Sequence, residues 1–166
     1  HREMPRLPGL YEADCEVRGW ERIGYTDALV QIGENQALWI GGFQKSAREK
    51  QSVILKRVYD PVTHAMVLET EQIECPLTKE SHPSNSFDTV RLRDKVYVVG
   101  GSQELRNQYF VCVWSFDIAT RKWAFQGFNS DKPGLVQETV FVYEDNLYVT
   151  GTRKSPFRML MYAYDR

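Results

Sequence analysis

No apolar run in this 166-residue chain approaches the roughly 18 residues that a membrane-spanning helix needs, and no segment reads as the hydrophobic part of a signal peptide. Histidine is scarce. His1, His64 and His82 are the full set, without the H-x-H or H-x-x-x-H spacing of a metal site, so no metal or cofactor is expected. The three cysteines, Cys15, Cys75 and Cys112, have neither metal nor redox spacing. With an odd count and no Asn-x-Ser/Thr acceptor, they point to a reducing compartment, and the expected location is the cytoplasm. There is no glycine-rich phosphate loop, no G-x-S-x-G elbow and no Cys paired with His, which leaves no catalytic residue to name. Lys plus Arg (21) and Asp plus Glu (22) nearly cancel to a net charge of −1, so no global field favours nucleic acid. A sustained 3.6-residue apolar period is also missing, which predicts almost no helix.

What is present is short strand-like segments rich in aromatics, which make up 13% of the chain. One phrase recurs: Asn35-Gln-Ala-Leu-Trp-Ile-Gly41, Asp94-Lys-Val-Tyr-Val-Val-Gly100 and Asp145-Asn-Leu-Tyr-Val-Thr-Gly151. From Gly41 to Gly100 is 59 residues, and from Gly100 to Gly151 is 51. A β repeat of roughly 50 residues is the mark of a propeller blade. The chain divides into a tail at 1–10, a lone outer strand within 11–25 that includes Trp20 and Ile23, and repeats at 26–76, 77–134 and 135–166. In the first repeat, strands are expected at Asp27–Ile32, Ala37–Gly42, Ser52–Tyr59 and His64–Glu71. In the second they are expected at Phe87–Leu92, Val96–Gly101, Tyr109–Phe116 and Lys122–Gly127. In the third they fall at Val136–Tyr143, Leu147–Thr152 and Arg158–Tyr164, with no fourth strand before Arg166.

A second phrase supports the first. Tyr59-Asp60-Pro-Val-Thr63 matches Phe116-Asp117-Ile-Ala-Thr120; Trp123 follows Asp117 by six residues, as Met66 follows Asp60. Tyr164-Asp165 begins a third copy. An apolar strand, the pairs Gly41-Gly42 and Gly100-Gly101, aromatic-Asp, Thr and Trp together resemble the kelch motif, over roughly residues 26–166. In the third copy Thr152 replaces the second glycine. The resemblance implies an all-β, kelch-type β-propeller segment of about three four-stranded antiparallel blades. Most of these motif residues read as fold-forming: glycines let the chain leave the sheet closely packed, Asp and Thr cap a tight turn, and the large aromatic fills the wedge between blades. Cys112, aligned with Leu55 and Leu160, reads as a buried small hydrophobe, and Cys75 as the more exposed thiol.

Closed propellers use about four to eight blades. Three blades therefore imply either part of a longer propeller, the favoured reading given His1 in place of Met and the stop after Tyr164-Asp165, or two copies joined in a six-bladed ring. The spare N-terminal strand is expected to complete the third blade.

Propeller ligands meet the loops between second and third strands, here Phe43–Gln51, Ser102–Gln108 and Arg153–Phe157, and the links at Leu77–Ser86 and Ser130–Leu135. Lys45, Arg48, Lys50, Arg106, Arg153, Lys154 and Arg158 supply seven basic residues there against two acidic ones, Glu49 and Glu104. Arg is suited to bidentate capture of carboxylates, and Asn107 and Gln108 add hydrogen-bonding groups. The kelch-containing ubiquitin-ligase adaptors that this chain resembles read short, often acidic peptides through such loops. The expected function is thus recognition of another protein, with an acidic peptide as ligand class. A propeller enzyme acting on a carbohydrate or small acid, like galactose oxidase or an epimerase, is the alternative, but nothing selects an acid/base among Glu104 and His82. Ser115-Phe-Asp117 opens like a sialidase Asp box, yet Ala119 replaces its Gly and Trp123 falls one position late. An architectural subunit of a larger assembly is the third reading.

Overall fold

The computed structural model describes residues 16–19, 26–43, 46–77, 87–105, 108–126, 135–154 and 157–164. The expected tail, Trp20, Ile23 and most of both inter-blade links lie outside them. All twelve described elements are strands: β1 (Val17–Arg18), β2 (Thr26–Gly33), β3 (Gln36–Phe43), β4 (Ser46–Asp60), β5 (Ala65–Ile73), β6 (Phe87–Leu92), β7 (Lys95–Leu105), β8 (Gln108–Asp117), β9 (Lys122–Phe125), β10 (Leu135–Tyr143), β11 (Asn146–Lys154) and β12 (Phe157–Tyr164). They form three sheets in the orders β1-β5-β4-β3-β2, β6-β7-β8-β9 and β10-β11-β12. From β2 to β5, from β6 to β9 and from β10 to β12, strands consecutive in sequence pair antiparallel.

The sheets stack through two cores. Ala28, Ile32, Leu38, Ile40 and Ile54 of the first sheet meet Val96, Val98 and Phe116 of the second. Tyr97, Val99, Leu92 and Val113 on the other face of the second sheet meet Val140, Leu147 and Val149 of the third. Alternate residues of β7 thus serve different cores, as the period-two geometry of a strand requires. The first strands of each sheet, β2, β6 and β10, lie side by side, which puts them at the inner edge of the fan.

The kelch-like turns repeat in detail. Val62 and Thr63 donate their N–H groups to Asp60 Oδ1 at 2.8 and 3.4 Å; Thr120 donates its N–H to Asp117 Oδ1 at 2.9 Å. The fourth residue after each Asp has positive φ, 56° at His64 and 57° at Arg121. The next strand then brings Met66 opposite Tyr59, and Trp123 opposite Phe116. These backbone donors hold both carboxyls below the usual aspartate range, with Arg18 adding to the effect at Asp60.

Two expectations fail. The described part of the spare strand, β1, pairs parallel with β5 at the outer edge of the first sheet and not with the third, Val17 opposite Leu68. Arg18 bridges Asp60 at 2.8 Å, Thr70 Oγ1 donates to Arg18 O at 2.7 Å, and Gly19 follows with φ +87°, where an added Cβ would stand 2.8 Å from Thr70 Oγ1. Those contacts, none of them visible as periodicity, select β5. The alignment of Leu55 with Cys112 also fails. Cys112 and Leu160 stand opposite Gly100 and Gly151, but Gln51 stands opposite Gly41. From Gln51 to Asp60 is nine residues, against five from Cys112 to Asp117, so the first outer hairpin overhangs by four. The side chain of Cys112 lies outside the described ones.

Phe116 is fully buried between the first two sheets; Phe116→Ala is expected to cost about 3–5 kcal/mol of stability in urea unfolding. Because the folded-state carboxyls of Asp60 and Asp117 are depressed, their stabilisation is complete above the unfolded aspartate value of about 3.9 and is lost as pH falls through the folded values. The double variant D60N/D117N should therefore be less stable at neutral pH and show a flatter acid loss of stability, read from urea midpoints between pH 6 and pH 2.5.

Candidate interaction face

The inner turns of the second and third sheets are tied by Arg93 to Asp145 at 2.7 Å, and Arg91 Nη1 donates to Gln31 O near the inner turn of the first at 3.1 Å. Those contacts bring the inner turns to one end of the fan. The hairpins between second and third strands occupy the opposite end, since Gly41 and Gly100 stand opposite Thr26 and Phe87, the first residues of β2 and β6.

The structure reshapes those hairpins. Phe43–Gln51, Ser102–Gln108 and Arg153–Phe157 were expected as loops, yet β3 and β4, β7 and β8, and β11 and β12 carry the ladder almost to each tip. Lys45, Arg106 and Asn107 lie outside the described residues. Arg48 falls within β4, and Gln108 opens β8 opposite Leu105. Lys154 closes β11 opposite Phe157, and Arg153 stands directly opposite Arg158. The hairpin ends thus hold Arg48, Gln108, Arg153, Lys154 and Arg158 at backbone positions of one end of the fan.

Lys50 departs from its expected role as a loop cation. It sits opposite Gly42, is buried, and its Nζ makes an ion pair with Asp27 at 2.6 Å. Asp27 occupies the register shift between Thr26 and Ala28, a bulge that re-aims a side chain from the inner strand. Asp88, near the same point of β6, accepts from Thr89 N at 2.9 Å and from Val140 N of the third sheet at 2.8 Å. These acids were missed, although an Asp as second residue of two of the three inner strands, β2 and β6, was a signal in the sequence. Gln51 Oε1, next to Lys50 in the chain, is buried with no hydrogen-bond partner among the described residues.

Cys75 is half-buried against the first core. Burial pushes its thiol up, against weaker opposing effects of Ser52, the Leu77 backbone and Lys50. A thiol raised in this way is a poor nucleophile at neutral pH.

A groove of about 250 Å³ between the first two sheets is lined by Lys56, Glu69, Glu71 and Arg121 among others, with Arg121 bridging Glu71 at 2.7 Å. The carboxyls that shift, Glu16, Asp60 and Asp117, lie outside it and respond to Arg18 and to turn N–H groups. Among the described residues, no three His, Cys, Asp or Glu side chains converge as a metal site, and no helix is long and apolar enough to cross a membrane.

A family model described as the Kelch motif matches residues 84–126. The match falls within the second repeat and spans β6 to β9, the sheet whose glycine pair, turn Asp, Thr and Trp are all present. No curated protein and no solved structure shows a significant match to the chain. Kelch motifs generally mediate protein–protein interactions. Residues 84–126 carry a kelch motif, and the three antiparallel sheets of the described residues are consistent with a kelch-type propeller segment.

Proposed function

We propose that this segment recognises another protein through the hairpin end of its three sheets, and that the ligand is an acidic peptide. The observation that carries the reading is the Arg153–Arg158 register pair on β11 and β12, with Lys154 next to it. Like charges directly opposite on neighbouring strands destabilise a sheet unless an anion relieves them, and paired guanidinium groups suit a carboxylate. Arg48 on the first hairpin, and in the sequence Lys45 and Arg106, extend the basic character; Asn107 and Gln108 add hydrogen-bonding capacity. Lys50 has a supporting role instead, because its charge is already matched by Asp27.

A ubiquitin-ligase adaptor is one kind of parent protein that would use such a face, and a reducing, cytoplasmic setting fits the free Cys75 thiol.

The test is fluorescence anisotropy of the chain against Asp/Glu-rich peptides and their Asn/Gln counterparts. Selective binding of the acidic set is expected, weakening with salt and falling at least tenfold in R153E/R158E. Equal binding of both sets, or a variant that binds as the parent does, overturns the acidic-peptide reading.

A further inference from the structure

The outward faces of the first and third sheets carry residues that correspond to those buried in the two seams between sheets. Phe116 is 0% exposed because it packs, with Trp123, against the first sheet. Tyr59 and Met66 hold the same motif positions one blade earlier, opposite one another as Phe116 and Trp123 are, yet they are 53% and 42% exposed. They stand on the face of the first sheet turned away from the second, together with Leu29, which is also exposed. A groove of about 260 Å³ opens on this face between Leu29, Ala37, Leu55 and Leu68.

The third sheet mirrors this at its far side. Leu92, the last residue before the inner turn of the second sheet, is 6% exposed under the third sheet; its counterpart Tyr143 is 60% exposed. Val90 and Tyr97 pair in the second sheet as Phe141 and Tyr148 do in the third, where Phe141 stacks on Tyr148 at 5.2 Å and remains exposed. One outward face therefore carries the residues that a blade presents to its predecessor, and the other those it presents to its successor.

We propose that a second copy of this chain covers both faces, first sheet on third sheet and third on first, closing a six-bladed ring around a two-fold axis. A second copy is the occupant because the two faces are unlike and complementary: each copy supplies what the other lacks, and both seams continue the interface already seen between the first and second sheets and between the second and third. Two such seams can together approach the roughly 1,200–2,000 Å² of a stable association. This face is distinct from the hairpin ends, so neither reading depends on the other.

The test is light scattering on a size-exclusion column over a concentration series, with M66E and Y143E beside the parent chain and circular dichroism to confirm the sheet signal. A parent dimer at twice 19.3 kDa is expected, with each single variant raising the dissociation constant at least tenfold because each alters both seams. If either variant loses its sheet signal, L29K and F141K at the same two faces replace them. A folded parent monomer overturns the ring and leaves the faces to other blades. So does an open series of larger species, a dimer insensitive to both variants, or a dimer sensitive to only one of them, which indicates a like-with-like contact.

Discussion

Burial of both faces of the second sheet is the constraint on which the rest of the structure depends. A strand covered on both sides cannot alternate apolar and polar residues and must read as a continuous hydrophobic run. Val96-Tyr97-Val98-Val99 is such a run, and all four are buried. Val96 and Val98 serve one core while Tyr97 and Val99 serve the other. Without the second sheet, neither the first nor the third would bury a complete apolar face, and neither core would close.

Hydrogen bonds between sheets fix how the apolar faces meet. Trp123 illustrates the division of labour in a kelch-type blade: its ring lies 5.0 Å from Phe116 in the seam, while its Nε1 donates to Glu74 O on the chain leaving the first sheet at 2.9 Å. Arg121, positioned by the Asp117 turn, reaches Glu71 at 2.7 Å. These exposed ion pairs contribute little free energy individually; their role is to set the register of one sheet on the next. The Asp–Thr turn is thus a local device with a non-local consequence, because it delivers the tryptophan and the arginine to the neighbouring blade.

Much of this was legible in the chain. β6 runs from Phe87 to Leu92 as expected, and the six-residue spacing from Asp to Met66 or Trp123 appears as two near-identical turns. What escaped has physical causes. The polar stretches before Gln51 and after Ser102 look like loops because a ladder near a hairpin tip needs only backbone pairing and no apolar alternation. Lys50 looked like a surface charge because its partner, Asp27, lies 23 residues away in a bulge, and a bulge leaves no mark in a period-two pattern. β1 is two residues long and held by Thr70, Asp60 and the conformation of Gly19, so its attachment to β5 depends on contacts far apart in sequence.

The most direct measurement of this account is amide hydrogen exchange along the chain. If burial between two cores makes the second sheet the keystone, the amides of Val96–Val99 and Val113–Phe116 exchange slowest, and those of β5 and β12 exchange faster. Exchange from β7 and β8 as fast as from β5 or β12 would contradict it, because stability would then reside within single sheets and not in their stacking.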